Sequence, residues 1–369
     1  MKGLIDSTLR EGGQMVGVHF GLADKLAIAA QLDRLGVEEI ELGVATSLDP
    51  DLANLVAGCR AAGTRARLAL WCRCLREDID FAARLAPEVL SLSIPASDLH
   101  ITKKLGKDRA WVLATVKWAI GYAQGQGVPF LSLGLEDATR ADQDFLGEIA
   151  LVASDAGVQR LRLADTVGIA TPGELAELVG GFKARFHVEI GVHCHNDFGM
   201  ATANSLTALA TGADWADVTV LGLGERAGNA RLEEVVGYLA LRAERPYQVS
   251  GLKKLSGLVS RLAGQPISPH QPLIGERIFH CESGLHLQGL AADPLTYEPY
   301  QPELVGAERR LLYGAKIGRG QVRDGLAKVG RQLNAPSLTK LIHGLRCHST
   351  SPNLPSEERE FNELLVRLS

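Results

Sequence analysis

The chain has 369 residues, of which 46% are hydrophobic and 22% are charged, and its formal net charge is -4. This balance is typical of a globular protein large enough for a barrel and an appendage. It excludes a strongly basic nucleic-acid-binding surface, and no apolar run approaches the ~18 residues of a membrane span. Because no secretion signal precedes the six cysteines, we expect free thiols and a cytoplasmic location.

The first part of the chain alternates short apolar runs with longer amphipathic stretches. The stretches between the runs, such as 24–35 and 202–211, repeat apolar residues at helical spacing. Eight β units separated by helices predict an α/β fold, a (β/α)8 TIM barrel over residues 1–243. An open doubly wound sheet is the alternative, because a single sequence does not reveal strand order. The eight runs begin at Gly3, Val37, Ala66, Val89, Pro129, Arg160, Val188 and Ala216.

The pattern changes past Ala243. Two proline-rich loops, 268–279 and 293–304, lie between short helical stretches. We therefore expect residues 244–369 to form a linker and a small, mainly helical C-terminal subdomain.

Polar side chains collect at the ends of the predicted strands, where TIM barrels carry their active sites. The clearest case is "GVHCHND", residues 191–197. A strand points residues i and i+2 to the same face, so His193 and His195 project together. Glu11, which follows the first predicted strand, adds a carboxylate. One carboxylate and two imidazoles suit a divalent metal ion with open coordination positions.

Five motifs carry a resemblance to a known family: "DSTLREGGQ", "EDATRAD", "ADTVG", "VHCHNDFGMATAN" and "GLGERAGN". In this order they resemble the homocitrate synthase and 2-isopropylmalate synthase family, metal-dependent acyl-CoA condensing enzymes built on a TIM barrel. The stretches "WCRCL" and "SDLHITKKLGKDRAWVL" are most similar to the homocitrate synthases associated with nitrogen fixation.

The resemblance implies that acetyl-CoA condenses with 2-oxoglutarate to release homocitrate and CoA. Synthesis of 2-isopropylmalate or citramalate from other 2-oxoacids is the alternative. Many isopropylmalate synthases carry a large C-terminal regulatory domain, for which a chain ending at residue 369 is too short. Homocitrate is therefore the expected product.

The resemblance also implies roles for individual residues. Glu11, His193 and His195 match the family's ligands to a divalent metal ion, which we expect to be Mg, Mn or Zn. Arg10 matches the arginine that stabilises the oxyanion formed on attack. His286 matches the family's general base, for which a histidine is the right residue type. Glu136 and Tyr297 match the two partners that complete the catalytic set with it.

Further matches imply substrate contacts and a homodimer. In this family the segment that carries the histidine and tyrosine can reach the barrel of the neighbouring subunit, which implies an intertwined pair of chains. The residues expected to contact the acetyl-CoA or the 2-oxoacid are Gln14, Arg73, Thr166, Gly224 and Asn229.

The chain departs from the family pattern at several positions. Gly13 stands where many members have glutamate, Leu221 where asparagine is usual, and Cys281, beside His280, where histidine is usual; residues 314–318 replace a "GKHSG" loop. These changes support a further hypothesis, a degenerate homologue without turnover, which the retained site residues argue against. A lyase similar to hydroxymethylglutaryl-CoA lyase is another hypothesis, but those enzymes carry a cysteine in the loop that is "GLGERAGN" here.

Overall fold

The computed structural model describes residues 1–348 and 356–368. The chain divides into two compact units, Met1–Ile267 and Ser268–Ser369. Within the described part of the chain, none of the helices combines the length and the apolar character that crossing a membrane requires.

Eight strands in the first unit close into a barrel in chain order, and every pairing is parallel. The predicted (β/α)8 barrel is therefore confirmed, and the open-sheet alternative is excluded. Closure occurs at β1, where Asp6 pairs with Ile40 on one side and with Val218 on the other. The strands are β1 (Gly3–Asp6), β2 (Glu39–Val44), β3 (Arg67–Arg73), β4 (Val89–Pro95), β5 (Leu131–Glu136), β6 (Arg160–Asp165), β7 (Glu189–Cys194) and β8 (Trp215–Val218).

Helices connect the strands, and their ends follow local sequence signals. Helix α6 (Pro172–Arg185) starts at a capping box, in which the side chains of Thr171 and Glu174 each accept the backbone N–H of the other residue. Pro172 lies in its first turn. Helix α1 ends at Gly36, whose φ of 95° favours glycine. The helices of this unit are α1 (Leu22–Leu35), α2 (Leu52–Ala61), α3 (Arg76–Leu85), α4 (Arg109–Gly125), α5 (Gln143–Asp155), α6 (Pro172–Arg185), α7 (Ala201–Thr211), α8 (Leu232–Arg242) and α9 (Leu252–Ala263).

The interior of the barrel is filled in part by ion pairs. Arg160 on β6 donates to both carboxylate oxygens of Glu39 on β2, at 2.9 and 2.7 Å, and Arg162 Nη1 donates to Glu41 Oε1 at 3.0 Å. Because β2 and β6 lie on opposite sides of the barrel, these bonds cross its interior. Most TIM barrels fill this space with branched apolar side chains. Here the apolar residues of β2 and β6 alternate with the charged ones and face the helices.

The eighth strand is shorter than the sequence predicts. The apolar run from Ala216 suggests a strand that continues to Glu225, but β8 ends at Val218 and Val220–Gly222 form a 3-10 turn. Within that turn Leu221 has a φ of 60° and a ψ of 10°, in the left-handed region. Its backbone N–H donates to Glu233 Oε2 at 3.0 Å. The composition of this segment therefore concealed a change of direction in the backbone.

This conformation predicts an unusual order of stability for two variants. Leu221→Gly and Leu221→Ala remove almost the same side chain, but alanine in the left-handed region costs about 1–2 kcal/mol that glycine does not. We expect the glycine variant to have the larger free energy of unfolding in urea, by about 1 kcal/mol. An alanine variant as stable as the glycine variant would contradict the strained backbone at this position.

The second unit has mainly helical secondary structure, as predicted, around a small apolar core. Its helices are α10 (Gly284–Ala292), α11 (Arg319–Lys328), α12 (Ala335–His348) and α13 (Glu358–Leu368). A three-stranded sheet of β9 (His280–Cys281), β10 (Arg310–Tyr313) and β11 (Ser356–Glu357) was not predicted, because its strands are only two to four residues long. Tyr313 stacks on Phe361 with the ring centroids 4.5 Å apart. The buried core residues are Ile317, Val322, Leu326, Leu338, Leu341, Ile342, Leu345, Phe361 and Leu365.

Candidate active site

One carboxylate and two imidazoles meet at the carboxyl end of the barrel. Glu11 lies in the turn that follows β1, His193 lies in β7, and His195 comes directly after it, in a bridge with Asn229. One potential ligand atom from each of Glu11, His193 and His195 lies within 4.8 Å of the other two. All three residues are buried, with at most 5% of their surface exposed. The residues that the sequence singles out thus form one cluster.

Both histidines of this cluster favour the neutral form of the imidazole ring, which is the form that binds a metal ion. The Nδ1–H of His193 donates to Asp217 Oδ2 at 2.8 Å, which leaves Nε2 for a ligand. Burial lowers the pKa of His193 to about 4, although Asp217 opposes the shift. Burial, with the charge of Arg226, also lowers the pKa of His195. A neutral imidazole whose other nitrogen is held by a carboxylate is the usual form of a metal-bound histidine.

His195 supplies the second observation that fits a metal ion. Its Nε2 lies 3.2 Å from Glu11 Oε1, and its Nδ1 is buried without a hydrogen-bond partner among the described residues. One carboxylate oxygen and two imidazole nitrogens form a donor set that divalent ions accept, with coordination positions left over for a substrate. The residues present therefore fit the ion.

Arg10 lies against the cluster. Its Nη1 forms an ion pair with Glu11 Oε2, and its Nε donates to Glu41 Oε2 at 2.6 Å. Burial alone would raise the pKa of Glu41, but Arg10 and Arg162 outweigh it and lower this pKa to about 2. The Nη2 of Arg10 is buried and has no hydrogen-bond partner in the described part of the chain. A fixed arginine with an unused donor is suited to bind an oxygen anion.

A cavity of about 500 Å³ opens beside Arg10. Gln14, His19 and Lys25 also line it, as does Gly13. A Cβ built on Gly13 would meet no atom within 4 Å. The departure from the family pattern at this position therefore leaves open space, and it does not answer a steric need.

Two other predicted site residues lie at the ends of β5 and β6. Glu136 accepts a hydrogen bond from Ser93 Oγ at 3.0 Å and forms an ion pair with Lys104 Nζ at 2.8 Å. Thr166 follows β6, and its Oγ1 accepts the backbone N–H of Asp137 at 2.8 Å. These contacts fix the orientation of both side chains at the carboxyl end of the barrel.

The glycine-rich loop after β8 packs against the cluster. A Cβ on Gly224 would lie 2.1 Å from Asn229 Nδ2 and 3.5 Å from Glu11 Cγ, so a larger residue there would displace the side chain of Asn229. Asn229 donates from Nδ2 to the carbonyl of Leu223 at 2.8 Å. The Oδ1 of Asn229 is buried and lacks a partner among the described residues. Gly224 therefore adjoins the side chain of Glu11, and Asn229 is bridged to His195.

The remaining predicted residues lie in other surroundings. Arg73 ends β3 and forks onto Asp78, with Nε and Nη2 at 2.8 and 2.9 Å from its two oxygens, and more than half of its side chain is exposed. His286 and Tyr297 belong to the second unit, where their ring centroids are 4.2 Å apart. In the same unit Cys281 lies in β9, and the backbone N–H of Lys316 in the replaced loop donates to Glu282.

Three buried charged residues that contact Arg10, His193 or each other beneath the cluster were not predicted from the sequence: Glu41, Arg162 and Asp217. A signal for two of them was present. In "EIEL" and "RLRL" charged residues alternate with aliphatic ones, although both stretches are strands of a barrel. Charges at every second position of an internal strand indicate that they face one another inside the barrel.

A parallel barrel with its polar residues gathered at the carboxyl ends of the strands has the architecture of a TIM-barrel enzyme. Two family descriptions match the chain: HMGL-like over residues 3–259, and homocitrate synthase post-HMGL domain-like over residues 273–350. The chain belongs to the HMGL-like family and, within it, to the branch of homocitrate and 2-isopropylmalate synthases, which are acyltransferases. This family depends on a divalent metal ion.

Individual relatives agree with this membership. The chain is 37% identical to 2-isopropylmalate synthase 2 of Caldanaerobacter subterraneus subsp. tengcongensis, over 97% of this chain and 93% of that one. It is 40% identical to homocitrate synthase of Frankia alni, over 88% and 93% of the two chains. A putative (R)-citramalate synthase of Methanosphaerula palustris is 41% identical over 91% and 67%.

A solved structure shows the same fold. The HMG-CoA lyase of Bacillus subtilis superposes with a TM-score of 0.65 at 23% identity, over 72% of this chain and 95% of that one. At this identity the likeness concerns the fold alone. The lyase hypothesis thus gains no support from it, whereas the relatives with higher identity are synthases.

Proposed function

We propose that the enzyme condenses acetyl-CoA with 2-oxoglutarate and hydrolyses the thioester, releasing homocitrate and CoA. The observation that carries this proposal is the buried cluster of Glu11, His193 and His195 beside the unused Nη2 donor of Arg10. The second domain supports it, because residues 273–350 match a homocitrate synthase domain. Homocitrate synthases from two Frankia sources are among the relatives, at 40% and 38% identity.

Glu11, His193 and His195 would hold the divalent ion, for which Mg, Mn and Zn are the candidates. When bound, such an ion supplies Lewis-acid polarisation of a keto oxygen. The chain itself supplies neutral ring nitrogens, because Asp217 fixes the tautomer of His193 and burial keeps both imidazoles deprotonated. The site therefore requires no proton release from its histidines when it is loaded at neutral pH.

Arg10 provides the electrostatic part of the proposed reaction. The enolate carbon of acetyl-CoA forms a bond to the keto carbon, and the keto oxygen gains a negative charge. The Nη2 of Arg10 donates to this oxygen, while Glu41 and Glu11 hold the guanidinium in place. Donors fixed in advance where charge develops are among the largest contributions to catalysis. The cavity beside Arg10, with Gln14 in its lining, offers room for the 2-oxoacid.

His286 is the proposed base that takes a proton from the acetyl-CoA methyl, with Tyr297 against its ring and Glu136 as a further partner. The oxygen of the former keto group takes up a proton and becomes a hydroxyl group. Water then attacks the thioester carbonyl and the C–S bond breaks, so CoA leaves as the thiol and a carboxylate and a proton remain. We further propose that Thr166, Gly224, Asn229 and Arg73 contact the substrates and that the protein is a homodimer in which the C-terminal segment reaches the neighbouring barrel.

A second candidate is the same condensation with another 2-oxoacid, giving 2-isopropylmalate or citramalate. It is favoured by relatives of both kinds at 37% and 41% identity. The open space at Gly13 bears on the same choice, because position 13 lacks the carboxylate that many members carry, while Asp49 and Asp51 supply the acidic side chains of the cavity.

Thiol release from acetyl-CoA tests the proposal and separates the candidates. The purified enzyme is given 2-oxoglutarate, 2-oxoisovalerate or pyruvate, first with a divalent ion and then after chelation. We expect release with 2-oxoglutarate that chelation abolishes and added metal restores, because the ion polarises the keto group. Release with another 2-oxoacid alone would keep the mechanism and replace the substrate. The absence of release with all three would contradict the proposed function and favour a degenerate homologue.

A further inference from the structure

A continuous chain of contacts, made of carboxylates and arginines in alternation and closed by a neutral imidazole, runs beneath the site and joins two of the proposed metal ligands. It starts at Glu11 and ends at His193, and each neighbouring pair is in contact. The members between these ends are all buried inside the barrel. In order they are Arg10 in the turn after β1, Glu41 in β2, Arg162 in β6 and Asp217 in β8.

Arg162 is the central member of this chain. Its Nη1 lies 3.0 Å from Glu41 Oε1 and 3.2 Å from Asp217 Oδ2, so one nitrogen bridges two carboxylates. Only 5% of its side chain is exposed, and Glu41 and Asp217 are 0% and 2% exposed. Glu41 in turn holds Arg10, and Asp217 holds His193. Arg162 is thus the contact through which the arginine half and the histidine half of the site meet.

Burial of these charges has a physical cost that hydrophobic side chains would avoid. Replacing a buried ion pair by apolar residues is often neutral or stabilising, so stability alone does not account for the network. Removal of Arg162 would leave the carboxylates of Glu41 and Asp217 without the cation that bridges them, although Glu41 would keep its bond from Arg10. Repulsion between the two carboxylates would then turn one of them away, and this movement would release Arg10 or His193 from its present partner.

We propose that Arg162 is a positioning residue, which sets the orientation of Arg10 and of the metal ligand His193 together by bridging Glu41 and Asp217. It contacts these site residues only through the two carboxylates. The inference rests on the proposed function, since it assigns Arg162 a part in metal binding and in condensation.

The barrel contains a matched control, Arg160. It precedes Arg162 by two residues on the same strand, is also buried, and also pairs with a glutamate of β2, Glu39. Its other carboxylate neighbour, Glu189, is 3.9 Å away and lies at the opposite end of β7 from His193. A purely structural role for buried arginines in this barrel predicts equal effects at both positions.

The experiment measures Mn²⁺ binding to the whole enzyme by calorimetry, together with kcat and KM, for Arg162→Met, Arg162→Lys, Arg160→Met and Arg160→Lys. We expect Arg162→Met to bind Mn²⁺ about 10- to 100-fold more weakly, the size of effect that partners of metal ligands have, and to lose kcat with KM for acetyl-CoA unchanged. Arg162→Lys keeps a cation and should recover part of both losses. The two Arg160 variants should bind Mn²⁺ as the unmodified enzyme does.

The lysine pair decides the matter if Arg162→Met does not fold. Arg162→Lys should then bind Mn²⁺ at least about threefold more weakly than Arg160→Lys. Unchanged Mn²⁺ binding in the folded Arg162 variants, or equal losses at both positions, would overturn the inference while the metal site stands. Failure of the unmodified enzyme to bind Mn²⁺ would overturn the metal site itself, and this inference with it.

Discussion

His193→Ala should abolish condensation and remove the bound divalent ion while the barrel stays folded. We expect activity to fall by at least about 10³-fold, because Lewis-acid polarisation contributes several kcal/mol to such a reaction. The fold should survive, since Asp217 keeps its ion pair with Arg162 at 3.2 Å when the imidazole is lost. Thiol release from acetyl-CoA, metal content of the purified variant and its circular dichroism spectrum provide the three measurements.

His187→Ala is the matched control. His187 is an exposed histidine just before β7, on the same segment of chain but at the opposite end of the strand from the cluster. It should retain both its metal content and its activity. Full activity in His193→Ala would be incompatible with the proposed ligand set.

Arg10→Lys should lower kcat by about 10²- to 10³-fold, the usual effect of removing a donor that stabilises an oxyanion. Lysine keeps the positive charge but loses the fork that bonds Glu41 through Nε and leaves Nη2 unused among the described residues. Binding of acetyl-CoA should change little, because the proposed contact forms with the oxygen of the other substrate. Steady-state kinetics with each substrate varied in turn separate kcat from the two KM values.

An exposed arginine serves as the comparison. Arg65 pairs with Asp33 on the surface with 76% of its side chain exposed, so Arg65→Lys should leave kcat unchanged. If Arg10→Lys and Arg65→Lys have the same kcat as the unmodified enzyme, Arg10 has no part in stabilising the oxyanion.

The sequence predicted the barrel well because its signal is repeated. Each strand is short and carries aliphatic residues, which alternate with charged ones in β2 and β6. Each is followed by a helical stretch, and the eight repeats support one another. The cluster of Glu11, His193 and His195 could also be predicted from the sequence, because its signal is local. The two histidines are two residues apart at the end of one strand, and Glu11 lies in the turn that follows another, so barrel geometry alone directs them to the same end.

Other features depend on contacts whose partners no local pattern identifies. The turn at Leu221 has an apolar composition that suits a strand, and only its hydrogen bond to Glu233 shows where the chain turns. Likewise, Glu41 and Arg162 each resemble a surface charge when they are considered singly in the sequence. Their pairing becomes visible when the barrel closes and brings β2 and β6 to face each other.

The ion pairs across the barrel also have a consequence for the order of folding. Glu39 and Arg160, like Glu41 and Arg162, are separated by 121 residues in the chain. Contacts of such sequence separation form only after most of the intervening chain is ordered, because closing a long loop costs entropy first. An intermediate that contains only the first strands and helices leaves the acidic side chains of β2 in water. We therefore expect the site to assemble late in folding and a truncated barrel to lack it.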